Sequence, residues 1–266
     1  MNKINTIIRK EWAEVFRNRL VIFTVAFLPL LMIAIPLVTL SSTRGLSSAS
    51  GGAAGTELPP QVTQSLCAAE TANADCFAVF LVSEFTLLFM LIPVIIPVTI
   101  AAYSIVGEKT THSLEPLLAT PITTLELLVG KALAAVLPAI LATYAAFGIF
   151  AAGSWIMLGN PLVLSALLDP RWLLAIFVVG PLLAIMAVTC ALMVSSRVNE
   201  PRIAEQISMV IILPVLVGFF GQVFGLFVLN KQIILTVALI MVVLDGLLAY
   251  LAVGLFQREQ ILTRWK

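Results

Sequence analysis

Few residues of this chain could carry chemistry, and those few are scattered rather than clustered. Asp245 lies near the middle of a long apolar run, and Glu84 lies just before another. The single histidine, His112, lies in a polar segment between two apolar runs. One histidine is too little for a histidine-based metal site or a Ser-His dyad, and the sequence has no G-x-x-x-x-G-K-[ST] phosphate-binding loop. We therefore expect no catalytic residue and no metal site.

Two interpretations of Asp245 stay open. An ionisable residue at membrane depth costs several kcal/mol unless it faces the interior, is paired or stays protonated. Asp245 is either a substrate-path or proton-linked carboxylate, or a neutral, hydrogen-bonded acid that ties helices together. No basic residue lies at the same depth to pair with it. We expect Glu84 to lie near the outer headgroups as a solvated carboxylate, and we keep it as a second candidate for the pathway.

The composition is that of an integral membrane protein. Of the 266 residues, 61% are hydrophobic and 11% are charged, whereas soluble domains have about 25% charged residues. A helix needs about 20 apolar residues to cross about 30 Å of hydrocarbon, and only helices and closed barrels satisfy their backbone in lipid. The sequence predicts an all-α integral membrane protein with six transmembrane helices, at about 20–40, 86–106, 132–153, 172–194, 208–229 and 232–256.

The distribution of positive charge predicts the orientation. With a cytoplasmic N-terminus and six crossings, twelve Lys and Arg residues fall on the cytoplasmic side and three on the other. This asymmetry follows the positive-inside rule and places both termini in the cytoplasm. The cytoplasmic set is Lys3, Arg9, Lys10, Arg17, Arg19, Lys109, Lys131, Arg197, Arg202, Arg258, Arg264 and Lys266. The outer set is Arg44, Arg171 and Lys231. We expect Lys131 to snorkel to the interface.

Residues 1–19 precede the membrane domain of residues 20–266. Apolar residues recur at helical spacing in residues 3–19, with basic residues largely on the other side. This pattern predicts an amphipathic helix that runs along the cytoplasmic surface and turns into the first span.

Residues 41–76 are predicted to be an outer loop, because they are rich in Ser, Gly and Ala and contain Pro59-Pro60. The loop carries Cys67 and Cys76. These two cysteines could form a disulfide if the loop faces an oxidising compartment. The alternative is two free thiols.

Residues 107–119 are predicted to form a second amphipathic helix between spans two and three. Leu114, Leu117 and Leu118 line one face, and Pro121 ends the segment. Thr123 and Glu126 match a capping box that starts the next helix. A short, polar element tied to two spans is typical of a site that contacts a soluble partner.

Segment 107–131 resembles the signature of the type-2 exporter class of ABC transporter permeases. Its pattern of Gly-Glu, Leu-Glu, Leu-Leu, Ser/Thr/Tyr-Pro and Gly-Lys is matched by Gly107-Glu108, Leu114-Glu115, Leu117-Leu118, Thr120-Pro121 and Gly130-Lys131. His112-Ser113 replace the usual Gly-Thr. Supporting likenesses are Lys10-Glu11 with Arg17-Asn18-Arg19, the stretch from Ser195 to Gln206, and the C-terminal Phe256–Leu262.

The resemblance implies a permease subunit of the prokaryotic cell membrane, without ATP chemistry of its own. Two such chains, identical or not, would form the pathway among membrane lipids. Separate P-loop ABC ATPase subunits would bind ATP and Mg; no nucleic acid is expected as a partner. The 107–119 helix would be the coupling helix in contact with the ATPase, through Glu108, His112, Leu114, Glu115, Leu117, Leu118, Thr120 and Pro121. Residues 1–19 would be the elbow helix, with Arg9, Lys10, Glu11 and Arg17.

An ion- or proton-coupled secondary transporter that uses Asp245 is the alternative. Such a carrier would have several intramembrane charges and internal inverted repeats. The sequence offers one acid at mid-depth and no obvious repeat.

Overall fold

The computed structural model describes residues 3–17, 19–49, 73–110, 122–159, 161–227 and 229–255, and its regular structure there is entirely helical. A separate N-terminal helix covers Lys3–Val15. Six further helical stretches are long and apolar enough to cross a membrane, which confirms the predicted fold class. We number them spans 1 to 6: Val21–Ser42, Cys76–Glu108, Thr124–Met157, Pro161–Arg197, Pro201–Val223 and Lys231–Leu255.

Three spans lie in continuous α-helices and three are interrupted. Spans 1, 3 and 6 lie in Arg19–Ala49, Thr124–Leu158 and Lys231–Leu255. Span 2 lies within the run formed by Asn73–Leu88, a 3₁₀ turn at Phe89–Leu91, and Ile92–Thr110. Span 4 comprises Pro161–Leu167, Pro170–Leu174, a π-helical turn at Ala175–Val179, and Gly180–Arg197. Span 5 comprises Pro201–Ser208, a 3₁₀ turn at Met209–Ile212, and Leu213–Val223.

Prolines mark the non-α turns inside the spans. Pro93, Pro181 and Pro214 each occupy the second position of the α-helix that follows such a turn. Proline has no N–H, and its ring clashes with the carbonyl four residues earlier. Each of these prolines therefore frees one carbonyl, and the chain must supply that carbonyl with another donor.

The freed carbonyls accept hydrogen bonds from two kinds of donor. Before Pro93, the Ile92 N–H binds the Phe89 carbonyl and tightens the helix into a 3₁₀ turn. Before Pro181, the helix widens instead, and the Tyr144 hydroxyl of span 3 donates to the Phe177 carbonyl at 3.4 Å. The Tyr144 hydrogen bond connects span 3 to span 4 at the π-helical turn of span 4.

Span 2 is the centre of the bundle. Within its most apolar stretch 67% of the residues are buried, against 50% for span 4, 44% for span 3 and 17–22% for spans 1, 5 and 6. Span 4 packs along span 2, and span 3 packs against spans 1, 2 and 4. Spans 1, 5 and 6 form the outside, where large apolar side chains such as Val217, Leu239 and Val243 are exposed.

Span 3 begins with the predicted capping box. The Thr123 hydroxyl accepts from the Glu126 N–H at 3.2 Å, and the Glu126 carboxylate accepts from the Thr123 N–H at 2.8 Å. The helix that follows has 35 residues. At 1.5 Å per residue it is about 52 Å long, well beyond the ~30 Å of a bilayer's hydrocarbon. We call the end of the bundle that carries the N-terminal helix and the first turns of span 3 its base.

The fifth helix differs from its predicted position of 208–229. It begins at Pro201, so the link between spans 4 and 5 is only Val198–Glu200. It ends at Val223 in a Schellman turn, because Gly225 adopts φ 68° and the Leu226 N–H binds the Gly221 carbonyl at 2.8 Å. The Phe227 ring fills the space that a side chain at Gly221 would need. These two glycines serve the turn rather than helix packing.

Candidate functional site

The N-terminal helix packs lengthwise against the first turns of span 3. The Lys3 ammonium lies 3.4 Å from the Glu126 carboxylate. One turn further along both helices, Ile7 lies over Gly130 so closely that a side chain there would overlap it. The contacts thus advance in the same direction on both helices. The contacts pack this helix against span 3, and its position along the cytoplasmic membrane surface stays a prediction.

A buried ion cluster joins the N-terminal helix to spans 2 and 3. The Lys131 ammonium of span 3 lies 2.7 Å from the Glu11 carboxylate and 3.0 Å from the Glu108 carboxylate of span 2. It also donates to the Ser104 hydroxyl at 2.7 Å, and that hydroxyl donates to Glu11 at 2.8 Å. The side chains of Glu11, Glu108 and Lys131 are at most 3% exposed. We call these four residues, together with Lys10, the basal cluster.

Lys10 balances the charge of the basal cluster. Lys131 alone faces two carboxylates, and the Lys10 ammonium supplies the second positive charge through a hydrogen bond to Glu108. Lys10 is 38% exposed and also lies 3.7 Å from Glu14. Burial lowers the pKa of Lys10, but the hydrogen bond and charge of Glu108, with the charges of Glu14 and Glu11, outweigh burial and raise it. The cluster is therefore neutral with two positive and two negative groups.

A freed carbonyl provides a further contact for the N-terminal helix. Pro138 lies inside span 3 and cannot donate to the carbonyl of Ala134. The Trp12 indole N–H donates to that carbonyl at 2.9 Å. The proline thus leaves an acceptor on the side of span 3, and the tryptophan of the N-terminal helix uses it.

Spans 4 and 5 are also tied to span 2 near the base. The Ser195 hydroxyl donates to the Ala102 carbonyl at 2.9 Å and accepts from the Val106 N–H at 3.3 Å, so it bridges one turn of span 2. The Thr99 hydroxyl of span 2 donates to Glu205 of span 5 at 2.8 Å. Span 2 is therefore the element through which the other spans are connected at this end.

The structure corrects two expectations about charged residues at the base. Lys131 does not snorkel: its side chain is 1% exposed, because Glu11 and Glu108 pair with it inside the protein. Glu108, expected to offer its charge to a partner protein, is buried against Lys10 and Lys131. Arg9 of the N-terminal helix and Arg17, which follows that helix, are exposed.

The remaining predicted coupling residues lie outside the described residues: His112, Leu114, Glu115, Leu117, Leu118, Thr120 and Pro121. Their roles stay predictions.

Sequence reasoning did not find the basal cluster as a cluster. In the sequence, Lys10-Glu11 and Gly130-Lys131 belong to separate motifs. The sequence assigns no polar contact to Ser104 or Trp12, since nothing in a single sequence pairs Ser104 with Glu11, 93 positions away, or Trp12 with Ala134, 122 positions away. One available signal was spacing: Lys3, Ile7 and Glu11 repeat at one-turn intervals, as do Glu126, Gly130 and Ala134.

Asp245 is buried between spans 6 and 4. It is 8% exposed, and neither of its carboxyl oxygens has a hydrogen-bond partner among the described residues. The free thiol of Cys190 in span 4 lies near it. The structure thus places Asp245 inside the bundle, facing span 4. No hydrogen bond among the described residues supports the interpretation as an acid that ties helices together, and both interpretations of Asp245 stay predictions.

Glu84 is buried rather than solvated, which corrects the expectation for this residue. It is 5% exposed, and the 1% exposed side chain of Gln222 in span 5 lies beside it. No hydrogen bond within the described chain reaches either Glu84 carboxyl oxygen. The Asn73–Leu88 helix packs against the Leu213–Val223 helix, which is why water does not surround this carboxyl.

Cys76 begins span 2, is 4% exposed and is disulfide-bonded. Cys67 lies outside the described residues, so its pairing with Cys76 stays a prediction. Within the described parts of the chain, no group of three or more His, Cys, Asp or Glu residues could hold a metal ion.

Comparisons with known proteins place this architecture in a family. The family described as "ABC-2 family transporter protein" matches residues 5–236, from the N-terminal helix into span 6. A search of curated proteins found no match. Together with six apolar helices, the match identifies a multi-pass membrane protein of a transport family.

Proposed function

Because the chain belongs to the ABC-2 transporter family and is a permease component of an ABC transporter, we propose that it is the membrane subunit of an ATP-driven exporter. It forms the translocation pathway with a second permease chain. Separate P-loop ATPase subunits bind ATP and Mg and supply the energy. The chain itself carries out no catalysis. The base of the bundle faces the cytoplasm, as the twelve-to-three distribution of Lys and Arg favours.

One observation carries this proposal beyond the family match. The N-terminal helix is bonded on both sides of residues 111–119: to Glu108 at the end of span 2, and to Glu126 and Lys131 on span 3. An element that receives force from a partner must be tied firmly to the spans it moves. The buried ion pairs at these flanks provide such a connection, since breaking one member of a buried pair costs about 3–5 kcal/mol.

A charge-reversal variant tests the docking role of segment 107–119. The ATPase that co-purifies with the wild-type chain is identified first, and binding is then compared for Glu115→Arg with Leu118→Arg. We expect the double variant to insert into membranes and to lose the ATPase and ATP-driven transport. Glu200→Arg is the matched control, because Glu200 is an exposed acid in the other link at the base. ATPase binding and transport that survive in the double variant would refute this assignment.

A further inference from the structure

Matched spacing on two helices points to a stable unit at the base. On the N-terminal helix the contacting residues are Lys3, Ile7 and Glu11-Trp12, one turn apart. On span 3 they are Glu126, Gly130-Lys131 and Ala134, also one turn apart. Residues four apart lie on the same face of an α-helix. Three consecutive turns of each helix therefore meet face to face.

The middle of this contact is a close fit of shape. Gly130 has no side chain, and Ile7 occupies the space beside it: a Cβ built at Gly130 would lie 2.8 Å from the Ile7 Cγ2 atom. Glycine permits such close approach between helices. A sliding or tilting motion of the N-terminal helix would drive Ile7 into the neighbouring turns of span 3.

The inner end of this contact is fixed by a directional hydrogen bond. The Ala134 carbonyl lacks its helical donor because position 138 is proline. If the N-terminal helix moved away, both this carbonyl and the Trp12 N–H would lose their partners, which is unfavourable for buried polar groups. The hydrogen bond between Trp12 and Ala134 therefore resists separation of the two helices. By contrast, the N-terminal helix ends at Val15, and the helix that contains span 1 begins at Arg19, so only a short link connects them.

We propose that the N-terminal helix and the first three turns of span 3 form one rigid body that stays closed throughout the transport cycle, with Trp12 as its positioning residue. The proposal rests on the function proposed above. Motion imposed on the base of span 3 then reaches the start of span 1 through the N-terminal helix. The bending occurs at the turn formed by Phe16 and Arg17 and not at the interface with span 3.

Zero-length crosslinking of the unaltered protein tests this inference. A carbodiimide joins an ammonium to a carboxylate only when the two are in contact, and Lys3 and Glu126 form such a pair with both side chains partly exposed. The purified complex with its ATPase is crosslinked at rest and after trapping with ATP and vanadate. Peptide mass spectrometry then measures the Lys3–Glu126 product. We expect equal yields in the two states; a several-fold lower yield in the trapped state overturns the proposal.

A reversible disulfide provides a second measurement. Ile7→Cys with Gly130→Cys brings two thiols together, since the Ile7 Cβ atom lies 3.0 Å from a Cβ built at Gly130. A disulfide prefers a Cβ separation of about 3.8 Å, so closure needs a small shift. Cys190 is changed to Ser in every variant, and Ile7→Cys alone is the control. We expect unchanged ATP hydrolysis by the complex after oxidation. Hydrolysis that stops on oxidation and returns on reduction overturns the proposal.

Two experimental outcomes distinguish a failure of the proposed function from a failure of the rigid-body inference. If no P-loop ATPase assembles with the chain, the proposed function and this inference are both wrong. If the ATPase assembles and hydrolyses ATP but the Lys3–Glu126 crosslink disappears in the trapped state, only the rigid-body inference is wrong.

Discussion

At the base of the bundle, the carboxylates of Glu11 and Glu108 face the ammonium of Lys131 from two sides. Inside the bundle, Glu84 and Asp245 are almost as well buried, yet no hydrogen bond from the described chain reaches them. The base thus holds ionised groups that depend on one another across three helices. Glu84 and Asp245 are not paired with a buried cation among the described residues. Neutralising either carboxyl group therefore leaves no buried positive charge without a partner. This difference predicts opposite responses to substitution.

The largest effect is expected for Lys131→Met. This change leaves two buried carboxylates without their shared cation, and breaking a buried pair in this way costs about 3–5 kcal/mol. We expect a large loss of thermal stability in detergent and low accumulation in the membrane. Lys231→Met is the matched control, since Lys231 is exposed at the start of span 6.

The same cluster offers a rescue for that variant. Lys10 still pairs with Glu108 in Lys131→Met, so Glu11 is the carboxylate left without a paired cation. Adding Glu11→Gln removes that charge, and we expect part of the lost stability to return. If Lys131→Met alone melts like the wild type, the cluster does not stabilise the base.

A smaller effect is expected for Trp12→Phe. The ring remains but the indole N–H is lost, so the Ala134 carbonyl is left without its donor. A typical hydrogen bond contributes about 1 kcal/mol. We expect a modest fall in melting temperature for Trp12→Phe.

Pro138→Ala turns this prediction into a double-mutant cycle. Alanine restores the N–H that serves Ala134 within span 3. Trp12→Phe should therefore destabilise the Pro138→Ala protein less than it destabilises the wild type. Strict additivity of the two changes would show that the freed carbonyl is not what Trp12 uses.

A weaker effect is expected from titrating Lys10. Glu108 and its neighbours raise the pKa of Lys10 above its ordinary value despite burial. A raised pKa means that the folded protein holds the proton more tightly, so the stabilisation is fully present below the unfolded pKa of about 10.4 and is lost as pH rises through the folded value. We expect melting temperature to fall more steeply above pH ~10.4 in the wild type than in Lys10→Met. Identical pH profiles would contradict this role.

The smallest effect on stability is expected for Glu84→Gln and Asp245→Asn. Each change keeps the size of the side chain and orphans no cation. We expect melting temperatures close to that of the wild type, in contrast to Lys131→Met. A fall in melting temperature as large as that of Lys131→Met would contradict the expected difference between the basal cluster and the interior acids. Unchanged transport by Asp245→Asn would leave only its structural interpretation.

The sequence predicted those features that depend on local pattern. The six apolar runs gave the number of spans, because length and hydropathy decide whether a helix can cross a bilayer. Thr123 and Glu126 gave the capping box, because its two hydrogen bonds lie within four residues. The ends of the helices were less accurate: Pro201 starts span 5 earlier than expected, since proline suits the first turn of a helix.

The basal cluster was beyond the reach of such patterns. Lys131 was expected at the membrane interface because snorkelling is usual for a lysine near the end of a span. Its burial depends on Glu11, which lies 120 positions away in the sequence. The solvation of Glu84 was misjudged for the same reason: its depth could be estimated, but not the helix that packs over it. Contacts of this kind are set by tertiary packing, and one sequence does not reveal them.

The most direct test of the account is gentle purification of the protein from its native membrane, with crosslinking before solubilisation. The account predicts a P-loop ATPase at one copy per permease chain, and ATP hydrolysis by the purified complex. A chain that comes alone even after crosslinking, and that transports in a proton gradient without ATP, would contradict it. That result would favour a secondary transporter and make Asp245 the first residue to test.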